Sequence, residues 1–135
     1  MSDLPTVRAL MDTTFVTLRP DMGLAQAIDI LMEHRITGAA VVDGEMRVVG
    51  LLSEKDCLRT ILRGAYDQTP PGLVHEYMTT DVTVIDPETD LFQLTELFLK
   101  GFYRRFPVVE NGVLVGQITR RDLLRAIQKY SKYNA

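Results

Sequence analysis

Gly50-Leu51-Leu52-Ser53-Glu54-Lys55-Asp56 returns, in kind, as Gly116-Gln117-Ile118-Thr119-Arg120-Arg121-Asp122. Each stretch reads as the end of a strand, a hydroxyl that can cap a helix, and an aspartate within the first helical turn. A strand, a turn and the exposed backbone donors of a helix N-terminus suit a phosphorylated ligand. The same residues have a plainer reading: a hydroxyl at the N-cap with an acid three residues later makes a capping-box-like helix start. Capping and ligand binding can coexist, because the cap uses only one backbone donor.

Working outward, one shift of the chain against itself aligns Val7 with Val74, Met11 with Met78, Pro20 with Pro87, Leu24 with Leu91, Gln26 with Gln93 and Val41-Val42 with Val108-Val109. A shift one residue shorter aligns Gly50 with Gly116, Asp56 with Asp122, Leu58 with Leu124, Arg59 with Arg125 and Ile61 with Ile127. The lost residue falls in a turn, where Asp43-Gly44-Glu45-Met46-Arg47 becomes Glu110-Asn111-Gly112. Asn-Gly between apolar runs is a strong hairpin signal.

Each copy has the same order of elements. Phe15 to Leu18 before Arg19-Pro20, and Val82 to Ile85 before Asp86-Pro87, read as short extended runs, since the residue before proline disfavours helix. Leu24, Ala27, Ile28, Leu31 and Met32, and then Leu91, Leu94, Phe98 and Leu99, recur at helical spacing. Ala39–Val42 with Val48–Leu52, and Phe106–Val109 with Val113–Ile118, read as hairpins. A second helix follows, with Cys57, Leu58, Ile61 and Leu62 as its apolar side in the first copy and Leu123, Leu124 and Ile127 in the second.

The unit is β-α-β-β-α, used twice, and the class is α+β. Repeat one spans about 7–63 and repeat two about 74–130; Gly64 to Gly72, with Pro70 and Pro71, marks the linker between them. A three-stranded sheet with two helices leaves one sheet face open. Packing the two sheets together, with pseudo-two-fold symmetry, closes both faces and predicts a single module over 1–135.

Composition narrows the function. A chain of 135 residues, 46% hydrophobic and 24% charged, is one folded domain's worth. One cysteine, Cys57, excludes an intrachain disulfide and a cysteine zinc cluster and suits a reducing compartment. No apolar run approaches the roughly 20 residues that span a bilayer, and the first residues lack a signal-peptide pattern; the expectation is a cytoplasmic protein. A net charge of −3 argues against bulk attraction to nucleic acid, although Arg104, Arg105, Arg120, Arg121 and Arg125 concentrate positive charge late in the chain.

The doubled β-α-β-β-α order, the Thr17-Leu18-Arg19-Pro20 strand end, Ala39-Ala40-Val41-Val42-Asp43, Phe106-Pro107-Val108-Val109-Glu110 and both Gly-x-x-Ser/Thr-x-x-Asp segments together resemble tandem cystathionine β-synthase (CBS) domains, from about Val7 to about Tyr130. The resemblance implies a stand-alone CBS pair that senses a ligand and does not catalyse. It implies no required cofactor, and a regulatory ligand such as AMP, ADP, ATP or S-adenosylmethionine, held in two clefts between the repeats. It also implies a homodimer and a separate regulated protein.

Carried over residue by residue, the resemblance gives Asp56 and Asp122 the ribose hydroxyls and puts Ser53 and Thr119 near phosphate. Thr17 takes a nucleoside contact, and Ala39, Ala40, Leu52, Phe106 and Ile118 surround the adenine. Arg105, ahead of Phe106-Pro107, stands where some relatives place a phosphate-binding arginine. From the charge pattern alone, Arg104, Arg105, Arg120 and Arg121 are either solvated surface charge or supply at least one phosphate contact, Arg121 being the candidate beside Arg105. Val84 replaces the threonine that Thr17 represents, and Ala40 stands where Pro107 keeps the usual proline. The two sites are therefore expected to differ in affinity, with Thr17, Ser53 and Asp56 marking the favoured one.

His34 and His75 have no second ligand at metal spacing, and no histidine pairs with a nucleophile. Cys57 reads as a buried small hydrophobe, and Tyr66, Tyr77, Tyr130 and Tyr133 as packing or rim residues. The alternative to a sensor is a ligand-independent scaffold whose exposed helical faces bind a partner or another copy of the chain.

Overall fold

A computed structural model describes residues 4–62, 72–101 and 103–134; the linker from Gly64 to Pro71, Tyr66, and the side chains of Tyr130 and Tyr133 lie outside what it describes. The elements run α1 (Val7–Leu10), β1 (Thr17–Leu18), α2 (Leu24–His34), β2 (Gly38–Val42), β3 (Val48–Ser53), α3 (Glu54–Leu62), a 3₁₀ turn at Val74–Glu76, α4 (Leu91–Lys100), β4 (Arg105–Glu110), β5 (Val113–Thr119) and α5 (Arg120–Asn134). They form two compact units. One runs over Val16–Val82; the other joins Met1–Phe15 to Thr83–Ala135.

In the first of these, β1 pairs in parallel with β2 and β2 pairs antiparallel with β3. The core holds Leu18, Leu24, Ala27, Leu31, Ala39, Val41, Leu52 and Val74. In the other, β4 and β5 form the hairpin, over a core that includes Val7, Ile85, Leu94, Phe98, Phe106, Val108, Ile118 and Leu123. Both hairpins carry a register shift at the same repeat position, Val41/Val42 and Val108/Val109. Their turns differ. Asn111 (φ 53°) and Gly112 (φ 80°) close β4–β5 in two residues, and both positive angles match a type I′ turn. The longer turn is held by Asp43, whose carboxylate accepts the N–H groups of Glu45 (2.8 Å) and Arg47 (3.0 Å). Those bonds, that of Arg47 foremost, hold the Asp43 carboxyl below the usual carboxylate range.

The extended run expected over Val82–Ile85 is only one bridge long: Ile85 pairs in parallel with Val108. The N–H of Ile85 donates to the Pro107 carbonyl and that of Val109 to the Ile85 carbonyl, both at 3.0 Å. Thr17 pairs with Ala40 one step further along the matching ladder. The corresponding step in the second copy needs a donor from position 107, and proline has none.

The expected apolar side of the second helices also needs correction. In α3 the buried residues are Asp56 and Thr60, whereas Leu58 and Leu62 are 66% and 85% exposed. In α5, Leu123 and Ala126 are buried, and Leu124 and Ile127 face outward. Cys57 is half-buried against its core rather than enclosed. Burial, then the charges of Asp56 and Glu54, push its thiol pKa up, which keeps the sulfur protonated and a poor nucleophile at neutral pH.

Short leading segments complete each unit, and each comes from the other repeat's sequence. Val7 sits in the core of the Phe106 unit, and Val74 in that of the Leu52 unit. The repeated glycines are the seats for these leaders. A Cβ at Gly50 would lie 2.4 Å from Met78 Sδ, and one at Gly116 2.6 Å from Met11 Sδ. The leaders are then stitched to the sheets, Thr79 to Leu51 and Asp12 to Gln117, by paired backbone hydrogen bonds. Arg8 of α1 adds an exposed bond to Glu88 (3.0 Å) and a contact with Glu110.

Gly116→Ala overpacks the methionine seat and is expected to cost about 1–3 kcal/mol in urea unfolding. Most of that cost should disappear when Met11→Ala is already present. Equal costs in both backgrounds would show that the glycine serves something other than the methionine.

Candidate functional site

The repeated motif folds as a reciprocal helix cap. At the β3–α3 junction the Asp56 N–H donates to Ser53 Oγ (3.3 Å), while Asp56 Oδ2 accepts the Ser53 N–H (2.9 Å) and hydroxyl (3.0 Å). At the β5–α5 junction the Asp122 N–H donates to Thr119 Oγ1 (3.2 Å), and Asp122 Oδ2 accepts the Thr119 N–H (2.9 Å) and hydroxyl (3.0 Å). Each cap satisfies one orphan donor of a helix and one of a strand end. A second helical donor is also taken: the Glu54 N–H by the Thr37 carbonyl (2.9 Å), and the Arg120 N–H by the Arg104 carbonyl (3.3 Å). The plain structural reading of the motif is therefore realised twice.

The second oxygen of each carboxylate is held by an arginine one turn on. Arg59 Nη1 donates to Asp56 Oδ1 at 2.6 Å, and Arg125 Nη1 to Asp122 Oδ1 at 3.0 Å. These arginines were not among the expected site residues. The repeat alignment paired Arg59 with Arg125, and the i,i+3 spacing from each aspartate was the signal that identifies them.

The other candidate residues divide by position. Thr17 is half-buried on β1, opposite Ala40. Ala39, Leu52, Phe106 and Ile118 have no exposed surface and belong to the two cores. Ala40 and Pro107 are also buried. Leu52 directly precedes Ser53, and Ile118 directly precedes Thr119, so each cap is anchored to a core residue. Arg105 is half-buried at the start of β4, opposite Thr119. Arg121 is exposed in the first turn of α5. Around Asp122 the unit thus gathers Arg105, Thr119, Arg121 and Arg125. Around Asp56 the same positions hold Gly38, Ser53, Lys55 and Arg59, so fixed positive charge is greater in the second copy.

Among the described residues, no group of three or more histidine, cysteine, aspartate or glutamate side chains is placed to hold a metal ion. No helix among them is long and apolar enough to cross a membrane.

Comparison with known proteins agrees with this architecture. The family model for the CBS domain matches twice, over residues 7–63 and 74–129. The chain is 30% identical over 122 residues to an uncharacterised 17.7 kDa protein of Acidianus ambivalens, covering 90% of this chain and 72% of that protein. It is also 30% identical over 121 residues to the uncharacterised protein MJ1225 of Methanocaldococcus jannaschii, where it covers 90% of this chain but spans only 42% of that relative. Among solved structures, a crystal structure of CBSX2 in complex with AMP is similar, with a TM-score of 0.84 and 29% identity, covering 94% of this chain and 98% of that one; CBSX2 is a CBS-pair protein of Arabidopsis thaliana. With the family model matched twice in tandem and the fold shared with a CBS-pair protein, the chain belongs to the CBS domain family as a tandem pair of CBS repeats.

Proposed function

We propose that this chain is a regulatory module that binds an adenosine-containing ligand of the AMP, ADP, ATP or S-adenosylmethionine class and signals its presence to a separate protein. The observation that carries the reading is the pair of buried or half-buried carboxylates, Asp56 and Asp122, each fixed at a strand–helix junction. A carboxylate can accept from both hydroxyls of a ribose, and its capping bonds fix its orientation before any ligand arrives. The similar protein CBSX2, crystallised with AMP, supports the ligand class.

In this reading Ser53 and Thr119 border the phosphate, with Arg105 and Arg121 as its cations. Thr17 contacts the nucleoside in the first copy. The side chains of Ala39, Leu52, Phe106 and Ile118 are committed to the cores, so backbone groups beside them read the adenine edge. The module is a sensor rather than an enzyme, and its setting is the cytoplasm. Each charge-assisted contact contributes on the order of 1.5–3 kcal/mol, against roughly 8 kcal/mol for micromolar binding. Two or three such contacts therefore supply much of the affinity.

Calorimetry with AMP, ADP, ATP and S-adenosylmethionine tests the reading. At least one ligand is expected to bind with a dissociation constant in the micromolar range, and Asp56→Asn with Asp122→Asn together to weaken it by about tenfold or more. No binding of any of the four up to millimolar concentration would sink the sensing role.

Homodimerisation is the second part of the proposal, and the outward rows of α3 (Leu58, Ile61, Leu62) and α5 (Leu124, Ile127) support it. Repeat-matched apolar residues on exposed helical faces are costly to leave in water. Leu58→Lys with Leu124→Lys is expected to convert a dimer to a monomer in light-scattering chromatography. A wild type that runs as a monomer at tens of micromolar would overturn this part. The same faces favour the scaffold reading as runner-up, which predicts a stoichiometric partner whose binding ignores all four ligands.

A further inference from the structure

The two carboxylates are held alike by their own helices and differently by the leaders beside them. Thr79 exchanges backbone hydrogen bonds with Leu51, both at 2.9 Å, and this places its hydroxyl 3.4 Å from Asp56 Oδ1. Asp56 therefore has four donors: the Ser53 N–H, the Ser53 hydroxyl, Arg59 and Thr79. At the matching place in the other unit stands Asp12, which exchanges backbone hydrogen bonds with Gln117 at 2.8 and 3.0 Å. An ionised carboxylate has no proton to donate. Asp12 Oδ1 instead accepts the N–H of Thr14 at 2.9 Å.

Asp122 is accordingly left, among the described residues, with three donors: the Thr119 N–H, the Thr119 hydroxyl and Arg125. Its side chain is 17% exposed, against 3% for Asp56. A carboxylate has about four acceptor positions. Four donors face Asp56, Thr79 the most distant of them at 3.4 Å, and three face Asp122 among the described residues, which leaves an acceptor position on Asp122 that none of those residues takes. A ribose diol arriving at Asp56 must displace Thr79 as well as compete with Arg59. At Asp122 it has an open position and one longer arginine contact to share.

We propose that Thr79 is a lock on Asp56, and that Asp122, relieved of a lock by the substitution of Asp12 at the matching leader position, marks the tighter of two unequal ligand sites. This reverses the order that Thr17 alone suggests, and it rests on the adenosine-ligand reading above. Thr79 acts through Asp56 and is a positioning residue. Because it belongs to a leader, the lock also ties affinity at Asp56 to the seating of Met78 against Gly50.

AMP calorimetry on the full chain tests the lock. The wild type is expected to show two classes of site; Asp122→Asn removes the tighter class and Asp56→Asn the weaker. Thr79→Val, which keeps the β-branched shape and discards the hydroxyl, should tighten the weaker class about three- to tenfold. Thr79→Ser, which restores the hydroxyl, should return it to the wild-type value, and Asp12→Thr should weaken the tighter class. Loss of the tighter class in Asp56→Asn overturns the proposal, as does an unchanged weaker class in Thr79→Val, a variant that leaves the cap intact. Wild-type protein that binds no AMP, ADP, ATP or S-adenosylmethionine overturns the underlying reading along with the lock; AMP binding indifferent to Thr79 overturns the lock alone.

Discussion

A carboxylate at the start of each second helix has to serve two backbones at once. Asp56 and Asp122 each accept, at the carboxylate, the N–H and hydroxyl of a strand's last residue, and each donate their own N–H, the third of the helix, to that residue's hydroxyl oxygen. That reciprocity fixes the angle at which α3 leaves β3 and α5 leaves β5, and an arginine one turn later holds the remaining oxygen. A group engaged in this way is preorganised, but it is not vacant. Any ligand that uses it exchanges existing hydrogen bonds for new ones, so affinity depends on the difference between the two sets. Small differences in the surrounding donors thereby become differences between the two copies.

The leaders supply those differences. Each unit is completed by a segment from the other repeat, seated where a glycine leaves room for a methionine. The seat demands glycine at 50 and 116 for steric reasons, independent of any ligand. The residue after each methionine is not under that constraint, and it is there that the copies part, Thr79 in one and Asp12 in the other. A structural exchange that makes both units stable also brings a non-equivalent residue beside one of two equivalent carboxylates.

Much of this was legible in the chain. The Asn111-Gly112 turn, the hairpins, the capping pairs and the amphipathic α2 and α4 follow from local rules that tertiary structure did not override, except that Met32 and Leu99, expected on the apolar faces of those helices, are exposed because they lie at the edge of the stripe that meets the core. The faces of α3 and α5 were not legible, because periodicity shows that a helix has an apolar stripe but not which side meets the core. Asp56 and Thr60 are buried there through hydrogen bonding, a cost that hydropathy alone counts against burial. The shortened ladder at Ile85 was written in Pro107, whose missing N–H matters only once its partner strand is known. Arg59 and Arg125 carried a signal in their spacing. Thr79 carried none, since its neighbour across the sheet is set by the leader exchange.

The most direct test of the account is a crystal structure of the chain grown with saturating AMP. Ribose hydroxyls are expected at hydrogen-bonding distance, about 2.5–3.0 Å, from the Asp122 carboxylate, with the Thr119 cap retained and that site filled before the one at Asp56. AMP ordered elsewhere, with both capping carboxylates and their arginine partners untouched, would contradict it.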